Sequence, residues 1–315
     1  MVYINGKFLL QNLTGVQRFA TEVLKEFQKI YSDTIVILPK KSAIEFQKFF
    51  PGNYIEIGNA KNINYWEQLE LPKFLKKNKN SLLINFSGLG PVFYKNKIIT
   101  IHDVSFLRNK GWFSKQYYLY YKFFTPISAN RSRLLLTVSS FSRKEIVELL
   151  GVDKNKVHII PNSYLSNVKS NLAEKEKFIL TVSSIEPRKN LETLLKAFQE
   201  TSLDLKLKIV GASNKKIFNH SNLEENANHK RVEFLGYVTD EELLKLYNKA
   251  LFFVFPSIYE GFGLPPLEAM ANGCPTLVSN RTSLPEVCGD ASLYFDPFDV
   301  SDLAQKISIC TMSQN

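Results

Sequence analysis

Ser257-Ile-Tyr-Glu-Gly-Phe-Gly-Leu-Pro-Pro-Leu-Glu268-Ala-Met-Ala-Asn-Gly-Cys-Pro275 follows the apolar run Leu251 to Phe255. The run reads as a buried strand. Pro265 and Pro266 suit the first turn of a helix, because an N–H missing there would have had no partner anyway. The stretch is therefore strand, glycine loop and helix start. Such a junction gathers free backbone N–H groups and the positive end of a helix dipole at one place, which suits a phosphate or a polyhydroxylated anion. Glu260 and Glu268 bracket it.

The same alternation fills the rest of the second half. Phe178 to Val182, Leu207 to Val210, Val232 to Leu235 and Pro275 to Val278 read as strands. Leu191, Leu194, Leu195 and Phe198 share one helix face. Thr239-Asp-Glu-Glu242 has the form of a capping box ahead of Leu243, Leu244, Leu246 and Tyr247, and a last helix starts about Ser301. In the first half, Val2 to Ile4 is a strand, Asn5 to Thr14 a loop, and Val16, Phe19, Ala20, Val23, Leu24, Phe27 and Ile30 mark a helix beginning at Gly15. Ile35 to Leu38, Leu82 to Phe86, Lys97 to Ile101, Arg133 to Val138 and Lys156 to Ile160 are further strands. Ser142-Arg-Lys-Glu145 reads as a second capping box, on a helix that stops at Gly151. Beyond Pro161-Asn162 the chain turns to Ser, Asn, Lys and Glu. The expected organisation is a domain over 1–163, a linker over 164–177 and a domain over 178–315. Strands alternating with helices in both parts predict an α/β protein with two open, mostly parallel sheets. Ligands of such sheets lie at the carboxyl ends of the strands, so two facing domains would share a cleft.

A chain of 315 residues has length for two cores, and 44% hydrophobic with 22% charged residues is an ordinary globular composition. No apolar stretch is long enough to cross a bilayer, and Met1-Val-Tyr-Ile-Asn-Gly6 lacks the basic and apolar parts of a signal peptide, so the cytoplasm is the expected compartment. Cys274, Cys288 and Cys310 form no Cys-x-x-Cys pair, which argues against a disulfide framework and a zinc site. The net charge of +10 is unevenly shared: residues 1–163 carry 24 Lys and Arg against 11 Asp and Glu (+13), and residues 164–315 carry 16 against 19 (−3). The first half therefore calls for an acidic partner, whether a membrane surface, a lipid pyrophosphate or a nucleic acid. Two of its segments are notable, Pro72-Lys-Phe-Leu-Lys-Lys-Asn-Lys79 and Phe113-Ser-Lys-Gln-Tyr-Tyr-Leu-Tyr-Tyr-Lys-Phe-Phe124. A basic, aromatic helix can lie at a lipid interface; the plainer reading packs most of its rings on the core.

Four loops after expected strands carry the candidates for chemistry: Gly15, His102-Asp103, Arg188-Lys189 and Glu260 to Glu268. Gly15 either turns the chain or admits a ligand to the backbone. Cations are disfavoured at a helix N-terminus, so Arg188 and Lys189 there imply an anion among them.

Glu260-Gly-Phe-Gly-Leu-Pro-Pro-Leu-Glu268-Ala-Met, with Gly273-Cys-Pro and Leu284-Pro-Glu-Val-Cys-Gly-Asp-Ala291, resembles the signature of the retaining, nucleotide-sugar-dependent glycosyltransferases of family 4, which have the two-domain GT-B fold. Gly15-Val-Gln-Arg-Phe19, Ile101-His-Asp-Val-Ser-Phe106, Val138-Ser-Ser-Phe-Ser142 and Glu186-Pro-Arg-Lys-Asn190 resemble the branch that builds bacterial surface polysaccharides. The likeness covers nearly the whole chain. It implies that Glu260 holds the donor sugar's hydroxyls, that Glu268 accepts from the ribose, and that the backbone of Gly261, Phe262, Gly263 and Leu264 binds sugar hydroxyls and phosphate oxygens. Arg188 and Lys189 would neutralise the diphosphate, most strongly as the glycosidic bond breaks. His102 would reach the transferred sugar, Gly15 would admit the diphosphate, and Gly236, Tyr237 and Val238 would flank the base through their backbone.

Retention is open to a glycosyl-enzyme intermediate, but the resemblance points more often to a front-face displacement in which the leaving phosphate takes the acceptor's proton. Such a reaction needs no side-chain nucleophile, metal or resident cofactor, with a nucleotide-diphosphate sugar, GDP-mannose in the first instance, as donor substrate. The implied acceptor is a polyprenyl-pyrophosphate-linked glycan such as O-antigen or capsule, and the implied place is the bacterial cytoplasm, peripheral on the acidic inner membrane. The oligomeric state is not legible. Two departures stand out. The arginine that many members carry before the phosphate-binding lysine is replaced here by Ser183-Ser-Ile-Glu186, which leaves Arg188 to serve. Members also continue with helices that cross back to the first domain, whereas this sequence stops at Asn315, which implies looser coupling of the domains or a shortened product. A sugar-nucleotide epimerase of the same architecture is the alternative enzyme, although no general base for it stands out. A nucleic-acid-binding protein using the +13 half is a third reading, weakened by lysines dispersed among Glu and apolar residues.

Overall fold

The computed structural model describes residues 1–12, 14–40, 53–164, 174–184, 186–211 and 230–312. The chain divides into two compact units, Met1–Val104 with Leu119–Asn162, and Ser105–Tyr118 with Ser163–Asn315. Most of the expected linker, residues 165–173, lies outside the described residues, and the strand after it opens at Glu176, two residues before Phe178.

The first unit holds a parallel sheet of β1 (Val2–Asn5), β2 (Thr34–Pro39), β3 (Tyr54–Ile57), β4 (Leu82–Asn85), β5 (Lys97–Thr100), β6 (Leu134–Thr137) and β7 (Val157–Ile159), in the order β3-β2-β1-β4-β5-β6-β7. Ile4 sits opposite Val36 on one side and Ile84 on the other. The second unit holds β8 (Glu176–Val182), β9 (Lys206–Val210), β10 (Val232–Gly236), β11 (Ala250–Phe255), β12 (Thr276–Ser279) and β13 (Ser292–Phe295), ordered β10-β9-β8-β11-β12-β13 and also parallel. In each sheet the chain winds outward from its first strand and then restarts on that strand's other side. The reversal falls between β1 and β4 in one and between β8 and β11 in the other.

The period of two along a strand explains how these sheets are covered. In the second unit Ile179, Phe252, Val254 and Leu277 pack with Leu194, Leu195 and Phe198 of the Leu191–Glu200 helix and with Leu303 and Ile307 of the Val300–Met312 helix. The alternate residues Phe178, Leu180, Phe253, Phe255 and Val278 pack with Tyr247 and Ala269 on the other face. Every residue of β11 is buried, as expected of a strand covered on both faces. Cys274 and Cys288 belong to this core, and burial pushes the Cys274 thiol up to about 12.

Several local expectations shift. The expected loop after β1 contains a 3-10 turn, Gly6–Leu10, which Asn5 caps by accepting from the Lys7 N–H at 3.1 Å. The helix over Ser140–Leu150 is capped by Ser139, whose hydroxyl accepts from the Ser142 N–H at 3.0 Å. Ser142 is thus the third residue of the helix rather than its cap, and its own hydroxyl donates to the His102 carbonyl at 2.9 Å. Thr239 does cap the Asp240–Lys249 helix with Glu242 as its partner. The aromatic helix spans Lys115–Arg131 and buries Thr125, Ser128 and Ala129, while Leu119, Tyr120 and Phe123 are exposed. Small residues meet the core there because they allow close approach; of the rings, Phe113 is buried, Tyr117, Tyr118, Tyr121 and Phe124 are half-buried, and only Tyr120 and Phe123 are exposed, so the segment is divided between the two readings. Among the described residues no helix is long and apolar enough to cross a membrane.

Candidate active site

The β8/β11 switch point of the second unit collects the charged candidates. After β8 the chain makes the 3-10 turn Pro187–Lys189, then places Asn190 in the left-handed region (φ 57°) to start the next helix. Asparagine tolerates that conformation, and its side chain secures the turn by donating to the carbonyls of Pro256 (3.2 Å) and Pro297 (2.7 Å). The turn also meets the loop after β11 directly, where the Ile258 N–H donates to the Arg188 carbonyl at 2.8 Å.

Glu260 is the hub. Its Oε1 accepts from Lys189 Nζ at 2.6 Å and from the Ser257 hydroxyl at 2.6 Å, and its Oε2 lies 3.5 Å from Arg188 Nη1. Arg188 is held on its other side by Glu186, whose Oε2 accepts from Nε at 3.0 Å, and it donates to the Tyr259 carbonyl at 3.3 Å. Burial alone would raise the Glu260 carboxyl, but the Lys189 ammonium and the Arg188 guanidinium override it, and the net shift is below the ordinary carboxylate value. The anions expected around the two cations are therefore present as the protein's own carboxylates, Glu186 and Glu260. Lys189 still has donors in reserve, because two of its three ammonium protons have no acceptor among the described residues.

Gly263 turns the loop into the Leu264–Ala271 helix at φ 96°, and a Cβ there would stand 2.4 Å from Leu284 Cδ2. The N–H groups of Phe262, Gly263 and Leu264 donate to no acceptor among the described residues. With the helix start they form a ready anion site. Their aim is fixed from beneath by the loop after β12. Thr282 Oγ1 accepts from the Glu260 N–H at 3.1 Å, and Ser283 Oγ reaches the carbonyls of Glu260 (3.0 Å) and Phe262 (2.9 Å). Thr282 sits at φ 58°, a conformation strained for a β-branched side chain and found where surroundings over-determine it.

Glu268, one turn into that helix, is buried, and its Oε2 accepts from the Tyr247 hydroxyl at 3.3 Å. Gly236 ends β10 in the left-handed region and accepts from the Gly211 N–H at 2.9 Å; Tyr237 beyond it is exposed, and Val238 packs on the core. On the loop before Glu260, Tyr259 packs against Trp112 of the Ser105–Tyr118 segment, ring centroids 5.9 Å apart.

Gly15 and His102 belong to the first unit. Gly15 opens the Gly15–Ile30 helix, exposed, and a Cβ on it would meet nothing within 4 Å. Packing therefore does not require a glycine there. His102 follows β5, its ring edge-on to Phe19 at 4.9 Å, with Nε2 3.3 Å from the Phe86 carbonyl oxygen. A carbonyl only accepts, so the proton sits on Nε2 and Nδ1 is the acceptor. Burial lowers this imidazole below its usual range despite that hydrogen bond and the charge of Asp103, which keeps the ring neutral at pH 7.

Sequence reasoning singled out Arg188, Lys189 and Glu260, which meet, and missed Glu186, Ser257, Thr282 and Ser283, which position them. Glu186 had a signal, since a carboxylate two residues before an arginine in a tight turn can clamp it. Among the described residues no three His, Cys, Asp or Glu side chains gather as a metal site would require.

Residues 13–164 match the family model described as Glycosyltransferase Family 4, and residues 165–311 match Glycosyl transferases group 1. The O-antigen chain mannosyltransferase B of Escherichia coli is 36% identical over 240 residues, 69% of this chain and 63% of that protein, so the chain spans less than two thirds of that relative. The O-antigen chain mannosyltransferase RfbU of Salmonella typhimurium is 32% identical over 311 residues, 94% of this chain and 87% of that one. Among solved structures, Anabaena Alr3699/HepE in complex with UDP and glucose superposes with a TM-score of 0.72 at 17% identity, over 99% of this chain and 90% of that one. The chain belongs to glycosyltransferase family 4, in the branch that includes these O-antigen mannosyltransferases, and its two parallel sheets are the Rossmann-like domains of the GT-B fold.

Proposed function

We propose that the protein transfers mannose with retention from GDP-mannose to a growing, lipid-linked surface glycan of the O-antigen kind. The observation that carries this reading is the conjunction at one switch point of Lys189, Arg188 and Glu260 with the N–H groups of Phe262, Gly263 and Leu264, which have no acceptor among the described residues. Cations and N–H groups fit a diphosphate, and a buried carboxylate beside them fits sugar hydroxyls. Glu268 serves the ribose and the Gly236–Val238 backbone the base. As the bond to the anomeric carbon breaks, charge grows on the leaving diphosphate, where Lys189 and Arg188 counter it and one of its oxygens takes the acceptor's proton. The names of the relatives in Escherichia coli and Salmonella typhimurium support mannose and O-antigen.

The test is release of nucleoside diphosphate from a panel of GDP-, UDP- and dTDP-sugars, with and without a polyprenyl-pyrophosphate-linked oligosaccharide. GDP release from GDP-mannose that depends on acceptor, persists in EDTA and yields an α-linked product is expected. Absence of release from every donor would refute transfer, and donor conversion without acceptor would favour the epimerase.

The acceptor lipid gives the charge of +13 on residues 1–163 a partner in the acidic inner-membrane surface. The Lys115–Arg131 helix adds exposed Leu119 (53%), Tyr120 (41%) and Phe123 (64%), and Arg131 lies over the exposed ring of Phe93 at 5.8 Å. Basic residues among exposed aromatics suit a headgroup layer. Sedimentation with phosphatidylglycerol vesicles is expected to exceed that with phosphatidylcholine vesicles and to fall in Phe123→Ser; equal sedimentation with both lipids contradicts the membrane role.

A further inference from the structure

We infer that the β1/β4 switch point of the first unit is a recognition site for a neutral saccharide, the sugar end of the acceptor, held by Lys7, Glu67 and Asn64. The inference rests on the transferase reading. In the second unit the switch point is where the lysine–carboxylate pair Lys189–Glu260 stands; the first unit places another such pair, Lys7–Glu67, at its own, with Nζ 2.7 Å from Oε2. Open α/β sheets bind ligands at these reversals, outside the carboxyl ends of the strands.

The pair is built in. Asn5 and Asn85 end β1 and β4, and both side chains are buried. Asn5 Nδ2 donates to Glu67 Oε1 at 2.7 Å and to Asn85 Oδ1 at 2.5 Å, while Asn85 Nδ2 donates to the carbonyls of Ser87 and Gly88. Glu67 itself lies on a π-helical turn, Trp66–Glu70, a local widening that recurs at functional sites. Gln68 on the same turn is fixed by the Gly90 carbonyl (2.8 Å) and the Val92 N–H (2.8 Å). Burying an ion pair is a poor route to stability, so four polar side chains meeting at one strand end invite another explanation.

Their spare capacity indicates the ligand. Lys7 Nζ donates to Glu67 and to Asn64 Oδ1 (2.9 Å), and its third proton has no acceptor among the described residues. Glu67 Oε1 accepts one bond and can take another, and the exposed Asn64 amide group has no acceptor among the described residues. The Lys7 side chain is 17% exposed and so within reach of solvent. Because the charges of Lys7 and Glu67 cancel, nothing here favours a pyrophosphate. Alternating donors and an acceptor match neighbouring hydroxyls, each of which both donates and accepts. The site also adjoins His102, since Phe86, which follows Asn85, supplies the carbonyl that His102 Nε2 contacts.

The test uses the full chain and mannobiose as probe, titrated by NMR, with inorganic pyrophosphate as comparator and GDP thermal shift as control. Wild-type protein is expected to bind mannobiose, and Lys7→Met and Asn64→Ala to weaken it, Lys7→Met by about tenfold or more, with the GDP shift retained and acceptor KM raised more than kcat is lowered. Unchanged mannobiose affinity in Lys7→Met and Asn64→Ala overturns the inference, as does a loss confined to pyrophosphate or a parallel loss of the GDP shift. Mannobiose binding does not depend on turnover, so a wild type that binds it yet transfers no sugar sinks the transferase reading alone.

Discussion

Lys189→Ala is expected to lower the rate of glycosyl transfer by about 10²–10³-fold, the usual effect of removing one preorganised group aimed at developing charge. The ammonium is largely buried, ion-paired at 2.6 Å to Glu260 and seated 5.4 Å from the centre of the Phe255 ring, so it needs no reorganisation as charge moves onto the leaving diphosphate. The loss should fall on kcat more than on KM for the donor, because the charge it meets is greatest in the transition state. A second consequence concerns pH. Burial, the largest influence on Glu260, raises its carboxyl and is overcome by Lys189 and Arg188 together. The folded-state value lies below the unfolded one, so the stabilisation from this carboxylate is present above the ordinary carboxylate range and is lost as pH falls through the lowered folded value. Without Lys189 both its charge and its hydrogen bond are lost, the folded value rises toward the unfolded one, and the stability gap between variant and wild type should be widest at pH 7 and narrow toward pH 4. Steady-state kinetics with denaturation at pH 4 and pH 7 reads both effects, and a kcat within a few-fold of wild type would remove Lys189 from the reaction.

The second unit was legible because its central strands are unbroken apolar runs and its charged loops follow them. Arg188, Lys189 and Glu260 could be placed at one sheet edge from order alone. What escaped were elements whose signal is weak or whose role is non-local. β3 is half-buried along its length and β13 is an edge strand with Leu293 exposed, so neither carries a clean apolar pattern. Thr282 looked like an ordinary loop residue, since its bond to the Glu260 N–H exists only once the fold has brought residues 22 apart together. Lys7 and Glu67, 60 positions apart, were equally silent. The ring-rich segment before Arg131 was only partly legible: Thr125, Ser128 and Ala129 are its fully buried helical residues, which leaves Tyr120 and Phe123 exposed and Tyr117, Tyr118, Tyr121 and Phe124 half-buried.

Gly211→Ala is expected to destabilise the second unit by about 3 kcal/mol or more, beyond the range of an ordinary surface glycine. Gly211 follows β9 at φ 143°, where side chains are strained, and a Cβ there would stand 1.8 Å from the Ser183 carbonyl oxygen and 2.6 Å from its carbon. Both contacts are backbone, so no rotamer relieves them. Neither segment is free to retreat, because the Ser183 N–H donates to the Val210 carbonyl at 2.8 Å and the Gly211 N–H to the Gly236 carbonyl at 2.9 Å. The displacement must therefore run forward from Ser183 into Ser184, which bonds Glu186, and so into the turn that aims Arg188 and Lys189. A lower midpoint, by about 6–12 °C in thermal unfolding, should come with reduced transfer even where the protein is fully folded. Gly273→Ala supplies the comparison, since Gly273 also has positive φ (69°) but nothing within 4 Å of its Cβ, and only the conformational term of about 1 kcal/mol should appear. If the two alanine proteins proved equally stable, the Ser183 carbonyl would be able to step aside, and the Arg188–Lys189 turn would be held by its other contacts, among them the Asn190 side chain, the Ile258 N–H and Glu186.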